Sequence, residues 1–152
     1  MLILYYSNSG TTARAAQHIQ AKTNGKLIEL DINPAYPTEY DLVTEISKQQ
    51  IDSDTHPQIT NLPDLTDEKT IFIGFPIWYQ RPPMFVNTFF EQSDLTGKTV
   101  IPFATSMSTP MSANTAFLEE MAENSGATLQ AGFLANSNDT IDHYLSDRAL
   151  LK

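Results

Sequence analysis

Short apolar runs of strand length alternate along this chain with longer segments whose apolar residues recur every three or four positions. The runs are Leu2–Tyr6, Lys26–Leu30, Thr70–Phe75, Thr99–Ala104 and Thr128–Leu134. The first, third and fourth are apolar at nearly every position, which is typical of parallel strands buried on both faces. Proline cannot donate a ladder hydrogen bond, so at Pro102 we expect a bulge or weak pairing on one side.

The longer segments predict helices between and after the strands. They are Thr11–Thr23, Thr38–Gln50, Pro83–Gln92, Ser112–Asn124 and Asn138–Leu151. Asn24 and Gly25 form a common helix stop, and Thr38 with Asp41 resembles a capping pair. The polar stretch Asp52–Lys69 is predicted to be a surface connection. The alternation predicts an α/β fold, a doubly wound three-layer sandwich around a five-stranded parallel sheet, with residues 1–152 as a single domain.

The first loop (residues 7–12) follows the first strand and is predicted to bind an anion. It combines the hydroxyl side chains of Ser7, Ser9, Thr11 and Thr12 with Gly10, and it runs directly into a helix. A helix N-terminus presents unpaired N–H groups and a favourable dipole to an anion. No lysine lies in the loop, so neutral dipoles would hold the anion. The alternative is an ordinary strand-to-helix turn with serine and threonine as caps.

The second loop (residues 76–83) follows the third strand and is predicted to offer a flat aromatic surface. It contains the only tryptophan, Trp78, next to Tyr79, and prolines border it. Adjacent aromatic rings held in a rigid loop can stack on a planar ligand. The alternative is that Trp78 folds back to cover the core.

The third loop (residues 105–111) follows the fourth strand and offers hydroxyls, backbone amides and two thioethers. In parallel sheets ligands bind beyond the carboxyl ends of the strands, near the point where the strand order reverses. Three unusual loops at one such edge predict a phosphorylated, planar, heteroaromatic ligand.

Composition and charge exclude several other functions. The chain has no cysteine, so disulfides, thiolate metal sites and thiol nucleophiles are absent. Its net charge of −9 repels nucleic acid and anionic membranes and suits docking to a basic partner. The alternative, which charge alone favours, is that the acidic surface only keeps the protein soluble. No basic leader precedes the first strand, and no apolar run reaches the ~18 residues that a membrane span needs. We therefore expect a cytoplasmic protein that contacts neither nucleic acid nor membrane.

Taken in order, four motifs make the chain resemble the flavodoxin family, and specifically its short-chain members. They are Tyr5–Thr12, Ile71–Trp78, Thr88–Glu91 and Leu95–Ser106. The resemblance covers nearly the whole length. It implies strand order 2-1-3-4-5 with FMN at the switch between the first and third strands, flavodoxin being itself the type example of this arrangement.

The same resemblance implies which residues bind the cofactor. The first loop would bind the phosphate, and the second and third loops would enclose the isoalloxazine ring. The implied residues are Ser7, Asn8, Ser9, Gly10, Thr11, Thr12, Pro76, Ile77, Trp78, Tyr79, Thr105, Ser106 and Met107. No catalytic side chain and no metal ligand are expected, since the cofactor carries the chemistry.

Three departures from the family pattern bear on the ring end. Gln80 stands where related sequences usually have a glycine whose peptide turns over to bond the reduced ring. A positive φ at Gln80 has a steric cost, so we expect weaker stabilisation of the half-reduced neutral flavin. Arg81 would favour anionic reduced flavin if it lies near the ring; the alternative is a solvated arginine at the helix entry. Residues 107–112 replace a glycine-rich stretch, and Met107 could narrow the pocket.

Two classes of function fit these features. The first is an FMN-binding redox protein, foremost a low-potential electron carrier that meets redox partner proteins through an acidic face. An alternative within this class is a small reductase acting on NAD(P)H or a quinone, which Met107 and Arg81 favour. The second class is a binding module of the same fold that has lost FMN, against which the intact first loop argues.

Overall fold

A parallel sheet forms the middle layer of the computed structural model, which describes residues 1–151. The strands are β1 (Leu2–Tyr5), β2 (Lys26–Glu29), β3 (Ile32–Asn33), β4 (Gln58–Ile59), β5 (Thr70–Pro76), β6 (Thr99–Thr105), β7 (Thr128–Leu129) and β8 (Phe133–Leu134). The helices are α1 (Thr11–Thr23), α2 (Tyr40–Ser53), α3 (Met84–Gln92), α4 (Thr115–Ala122) and α5 (Asn138–Asp147). One 3₁₀ turn (Met111–Asn114) precedes α4.

The sheet has the predicted order. Its strands run β2-β1-β5-β6, and β7 and β8 both pair with the outer side of β6, all of them parallel. Counting β7 and β8 as one interrupted strand gives 2-1-3-4-5, so the prediction of a doubly wound sandwich is confirmed.

Different helices cover the two faces of the sheet. Successive residues of a strand point to opposite faces, and Phe72 in β5 packs on one side while Ile71 and Ile73 pack on the other. On the side of Phe72, the core contains Ala16 and Ile19 of α1 with Ile141 and Leu145 of α5. On the side of Ile71 and Ile73, it contains Val43 of α2, Phe85 of α3 and Leu118 of α4. Both faces of β5 are therefore buried, as its continuous apolar run predicts. Within residues 1–151, no helix is long and apolar enough to cross a bilayer.

Pro102 interrupts the outer strand, as expected. Val100 and Ala104 accept hydrogen bonds from Gln130 and Ala135 of the outer strand. Alternate residues bond to the same side, so an N–H at position 102 would point there too, and proline has none. Between the paired positions, residues 101–102 of β6 lie opposite residues 130–132 of the outer strand. The outer strand therefore has one extra residue there, which is a β-bulge. The predicted continuous strand Thr128–Leu134 is therefore split.

Several predicted boundaries are wrong. Helix α2 begins at Tyr40, and its N-cap, Glu39, makes no side-chain capping bond, so the predicted pairing of Thr38 with Asp41 does not cap it. The stretch Asp52–Lys69 is not wholly irregular, since β4 within it pairs with β3 to form a small antiparallel sheet. Helix α5 ends at Asp147 rather than Leu151.

Candidate functional site

The carboxyl ends of β1, β5 and β6 lie side by side because these parallel strands are neighbours. The first, second and third loops therefore leave the same edge of the sheet. The hydroxyl oxygens of Thr12 and Thr105 are 2.8 Å apart and share a hydrogen bond. The N–H of Ile77 donates to the carbonyl of Thr105 at 2.9 Å. Thr105 thus joins all three loops.

The first loop leaves the start of α1 open to an anion. Gly10 has a φ of 95°, a left-handed conformation that costs other residues energy. Its N–H donates to the Ser7 hydroxyl at 3.1 Å, while the hydroxyls of Ser9 and Thr11 lie 3.3 Å apart at the surface. No side chain caps α1, in contrast to α5, which Ser137 caps. The N–H groups of its first turn are therefore available to a ligand.

Two residues of the first loop fix its shape. The side-chain amide of Asn8 donates to the carbonyl of Pro37 at 3.0 Å. Thr12 is only 2% exposed, and its hydroxyl faces Thr105. Of the hydroxyls predicted to face a ligand, that of Thr12 is therefore committed to the protein, which leaves its backbone N–H.

Arg14 brings a positive charge to the first loop that the sequence reasoning missed. Its guanidinium donates to the hydroxyl of Thr11 at 3.3 Å, and a Cβ added at Gly10 would lie 3.4 Å from it. The signal was present, because a residue three positions after Thr11 lies on the same side of a helix. An anion here would meet a guanidinium as well as neutral dipoles.

The predicted pair of exposed aromatic rings does not form. Trp78 is 3% exposed and packs edge-on against Tyr36 and Tyr6, with ring centroids 5.2 and 6.1 Å away. The alternative, in which Trp78 covers the core, is the one observed. Only Tyr79, which is 52% exposed, offers an aromatic ring to a ligand from the second loop. Pro76 ends β5 opposite Thr105, and Ile77 is half-buried.

Tyr79 and Gln80 form the tip of a two-residue turn. The N–H of Trp78 donates to the carbonyl of Arg81, and the N–H of Arg81 donates to the carbonyl of Trp78, each at 3.3 Å. The φ angles of Tyr79 and Gln80 are 54° and 60°, which defines a type I′ turn. Such turns favour the sequence Asn-Gly. Any other L-residue held at a positive φ raises the free energy of the folded state by about 1–2 kcal/mol. The expected steric cost at Gln80 is therefore present in this structure.

The third loop is held by a residue that the sequence analysis did not name. The side-chain oxygen of Asn136 accepts a hydrogen bond from the N–H of Ser106 at 3.1 Å, and its side-chain nitrogen donates to the carbonyl of Ser106 at 2.8 Å. The Ser106 hydroxyl in turn accepts the N–H of Thr109 at 2.8 Å. Asn136 follows β8 and so lies at the same edge of the sheet, where ligand-binding residues were expected. Met107 is fully exposed and does not narrow a pocket in this structure.

Arg81 lies just before α3, and its side chain reaches across to α4. Its guanidinium carbon is 4.4 Å from the ring centroid of Phe117 in α4, and its Nε donates to the carbonyl of Pro82 at 3.2 Å. Burial lowers the pKa of Arg81, although the charges of Asp54 and Glu120 oppose this. The side chain lines a surface cavity of about 650 Å³ between α2, α3 and α4, and none of the thirteen predicted site residues lines that cavity.

Taken together, the strand-end site fits a ligand with an anionic head and a flat body. Unused N–H groups, the hydroxyls of Ser9 and Thr11 and the guanidinium of Arg14 meet at the first loop. Ile77 and Tyr79 in the second loop provide apolar and aromatic surface beside the third. This donor set suits a phosphate, and the surface beside it suits a planar ring.

Comparison with known proteins agrees with this geometry. The flavodoxin family model matches residues 1–147. A Bacteroides eggerthii protein, provisionally named a flavoprotein, is 29% identical with a TM-score of 0.84, covering 97% of this chain and 96% of its own. The FMN complex of a Lactobacillus acidophilus flavoprotein is 25% identical with a TM-score of 0.79, covering 94% and 96%. Flavodoxin 1 of Bacillus cereus, 17% identical with a TM-score of 0.57 over 98% and 94%, shares the fold. No curated protein matches the chain.

Proposed function

This chain belongs to the flavodoxin family, and from that premise we propose that it binds FMN and acts as an electron carrier. The observation that carries the proposal is the meeting of three loops at Thr105, beyond the carboxyl ends of β1, β5 and β6. Ligands of open parallel sheets bind at this edge, next to the point where the strand order reverses. FMN is also the ligand of the similar Lactobacillus acidophilus flavoprotein.

The first loop would hold the phosphate. The residues in reach of an anion there are Ser7, Ser9, Gly10, Thr11, the N–H of Thr12 and the guanidinium of Arg14. A phosphate at a helix N-terminus gains from the dipole and from N–H donors, and Arg14 adds a charge-assisted contact. Asn8 keeps the loop in place through Pro37.

The second and third loops would hold the ring. Ile77 and Tyr79 supply one side, and the backbone around Ser106, fixed by Asn136, supplies polar groups on the other. Bound FMN supplies the redox chemistry, and the chain's residues bind it, orient it and limit its contact with water.

Two findings support a carrier over a small reductase. Of the features that favoured a reductase in the sequence, Met107 points fully into solvent and Arg81 lies over Phe117. In these positions the two residues give no specific support for a reductase. The net charge of −9 supports docking to a basic redox partner protein, since opposite charges speed encounter.

A kinetic experiment separates the two roles. Without a partner protein, we expect FMN-loaded protein to oxidise NADH or NADPH at a negligible rate, whether or not a quinone is present. Once a catalytic amount of a flavodoxin reductase is added, the bound FMN should be reduced quickly. The second rate should fall as salt rises, because screening weakens the attraction between charged partners. Steady-state consumption of NAD(P)H by the protein alone would overturn the carrier role.

A further inference from the structure

The turn Trp78–Arg81 adopts a conformation that its own sequence disfavours. Tyr79 and Gln80 both have a positive φ, at 54° and 60°. Neither is glycine or asparagine, the residues that tolerate this conformation. Strained backbone persists only when the surrounding structure over-determines it, and it gathers at ligand sites. The contacts on either side of the turn must therefore hold it.

One side of the turn is anchored in the core. Trp78 is 3% exposed and packs against Tyr36 at 5.2 Å and Tyr6 at 6.1 Å between ring centroids. Tyr36 is itself fixed, because its hydroxyl donates to Gln50 at 2.7 Å. The indole is held on this side by ring packing, so its fluorescence reports how the turn is seated.

The other side is anchored on a neighbouring helix. The guanidinium of Arg81 stacks on Phe117 of α4 at 4.4 Å, and its Nε donates to Pro82. The carboxylates of Asp54 and Glu120 interact favourably with its charge. A partly desolvated cation over an aromatic face is held more firmly than an exposed one. Phe117 thus fixes the last residue of the turn.

We propose that Arg81 and Phe117 form a clamp that holds the turn of the second loop in the shape that receives the flavin ring. Arg81 is a positioning residue in this account, since it acts through Tyr79 and Gln80 rather than by touching the cofactor. The proposal rests on FMN binding at the strand-end site, but the clamp itself is a property of the free protein.

The single tryptophan makes the clamp measurable without FMN. The test variants are Phe117→Leu, which keeps an apolar side chain but removes the aromatic face, and Arg81→Met. We expect the emission of Trp78 to shift to longer wavelength and its quenching by acrylamide to rise about twofold or more, because the released turn exposes the indole. Arg148→Met is the matched control, since that guanidinium lies 4.1 Å from the Tyr144 ring in another part of the molecule. It should leave Trp78 unchanged.

Rescue by glycine separates positioning from simple packing. Gln80→Gly removes the strain at that residue, so the turn should keep its shape without the clamp. We expect the double variant Phe117→Leu with Gln80→Gly to recover the wild-type emission of Trp78. FMN binding should weaken about fivefold in Phe117→Leu, the loss of one cation–π contact, and recover in the double variant.

The clamp is overturned if Trp78 responds to neither Phe117→Leu nor Arg81→Met in protein that remains folded by circular dichroism. It is also overturned if Gln80→Gly fails to restore a changed signal, because that result means that Phe117 only packs α4. If wild-type protein binds no FMN, the proposed function fails while the tryptophan measurements still decide the clamp.

Discussion

At the scale of single residues, His56 is the group whose charge links two helices. Its Nε2 lies 2.9 Å from Asp54, the C-cap of α2, and its Nδ1 contacts Glu91 in α3. Both ring nitrogens face carboxylates, so both contacts are hydrogen bonds only when the imidazole is protonated. Burial would lower the pKa of His56, but the hydrogen bonds and charges of Asp54 and Glu91 together raise it above 6.5.

This pKa shift predicts how stability depends on pH. A histidine whose pKa is raised on folding stabilises the fold fully below its unfolded pKa, and that contribution is lost as pH rises through the folded value. We expect wild-type protein to lose unfolding free energy relative to His56→Gln as pH rises from about 6 to 9. Chemical denaturation across that range measures the difference. Glu91→Gln should reduce it, and identical pH profiles for wild type and His56→Gln would contradict the account.

Single side chains show where sequence reasoning reaches its limit. The turn from the first strand into α1 was readable, because glycine and hydroxyl residues before an amphipathic run are typical of a helix start. The burial of Trp78 was not, because it depends on Tyr6 and Tyr36, which come from distant parts of the chain. The partner of Thr12 was hidden for the same reason, since Thr105 is 93 residues away.

At the scale of elements, the bulge opposite Pro102 sets the shape of the outer strand. Gly132 lies where the strand resumes, and a Cβ there would approach the carbonyl oxygen of Pro102 to 2.6 Å and the end of Met111 to 2.4 Å. The hydroxyl of Tyr144 in α5 donates to the freed carbonyl of Ala131. The bulge is thus a packed and hydrogen-bonded feature.

Gly132→Ala should therefore destabilise the fold strongly. We expect a loss of about 3 kcal/mol in unfolding free energy, because the carbonyl of Pro102 cannot move without disturbing the central sheet. Gly97→Ala is the matched control, with a φ of 74° and no atom within 4 Å of the added Cβ. Backbone strain alone should reduce its stability by about 1 kcal/mol. Equal losses in denaturant titrations of the two variants would show that the contact at Pro102 is not the cause.

Element type was predictable here, and element ends were not. Proline at position 102 predicts a disturbed strand, since its missing N–H is a covalent fact. Helix α5 stops where Ala149 takes a left-handed φ of 56° and the N–H of Leu150 returns to the carbonyl of Leu145, an ending that glycine usually marks in a sequence. Its C-cap is Arg148, whose guanidinium stacks on Tyr144 of the preceding turn at 4.1 Å. The short pairing of β3 with β4 also depends on distant segments and has too few residues to leave a pattern.

At the scale of the whole molecule, topology places the site. The apolar runs predicted a parallel sheet, and the strand order brings three loops from distant parts of the sequence to one edge. The sequence therefore predicted that these three loops meet. The conformation within the site was less predictable, since the burial of Trp78 and the reach of Arg81 to α4 follow from packing that no local pattern encodes.

The most direct test of this account is to titrate the protein with FMN and with riboflavin, which lacks the phosphate, and follow flavin fluorescence. We predict that one equivalent of FMN is bound with a Kd below about 1 μM. Riboflavin should bind roughly 100-fold more weakly, about 2.7 kcal/mol for the lost charge-assisted hydrogen bonds. Arg14→Met should weaken FMN binding and leave riboflavin binding unchanged. Equal affinity for the two flavins, or no quenching of FMN up to about 10 μM, would contradict a phosphate site at the start of α1.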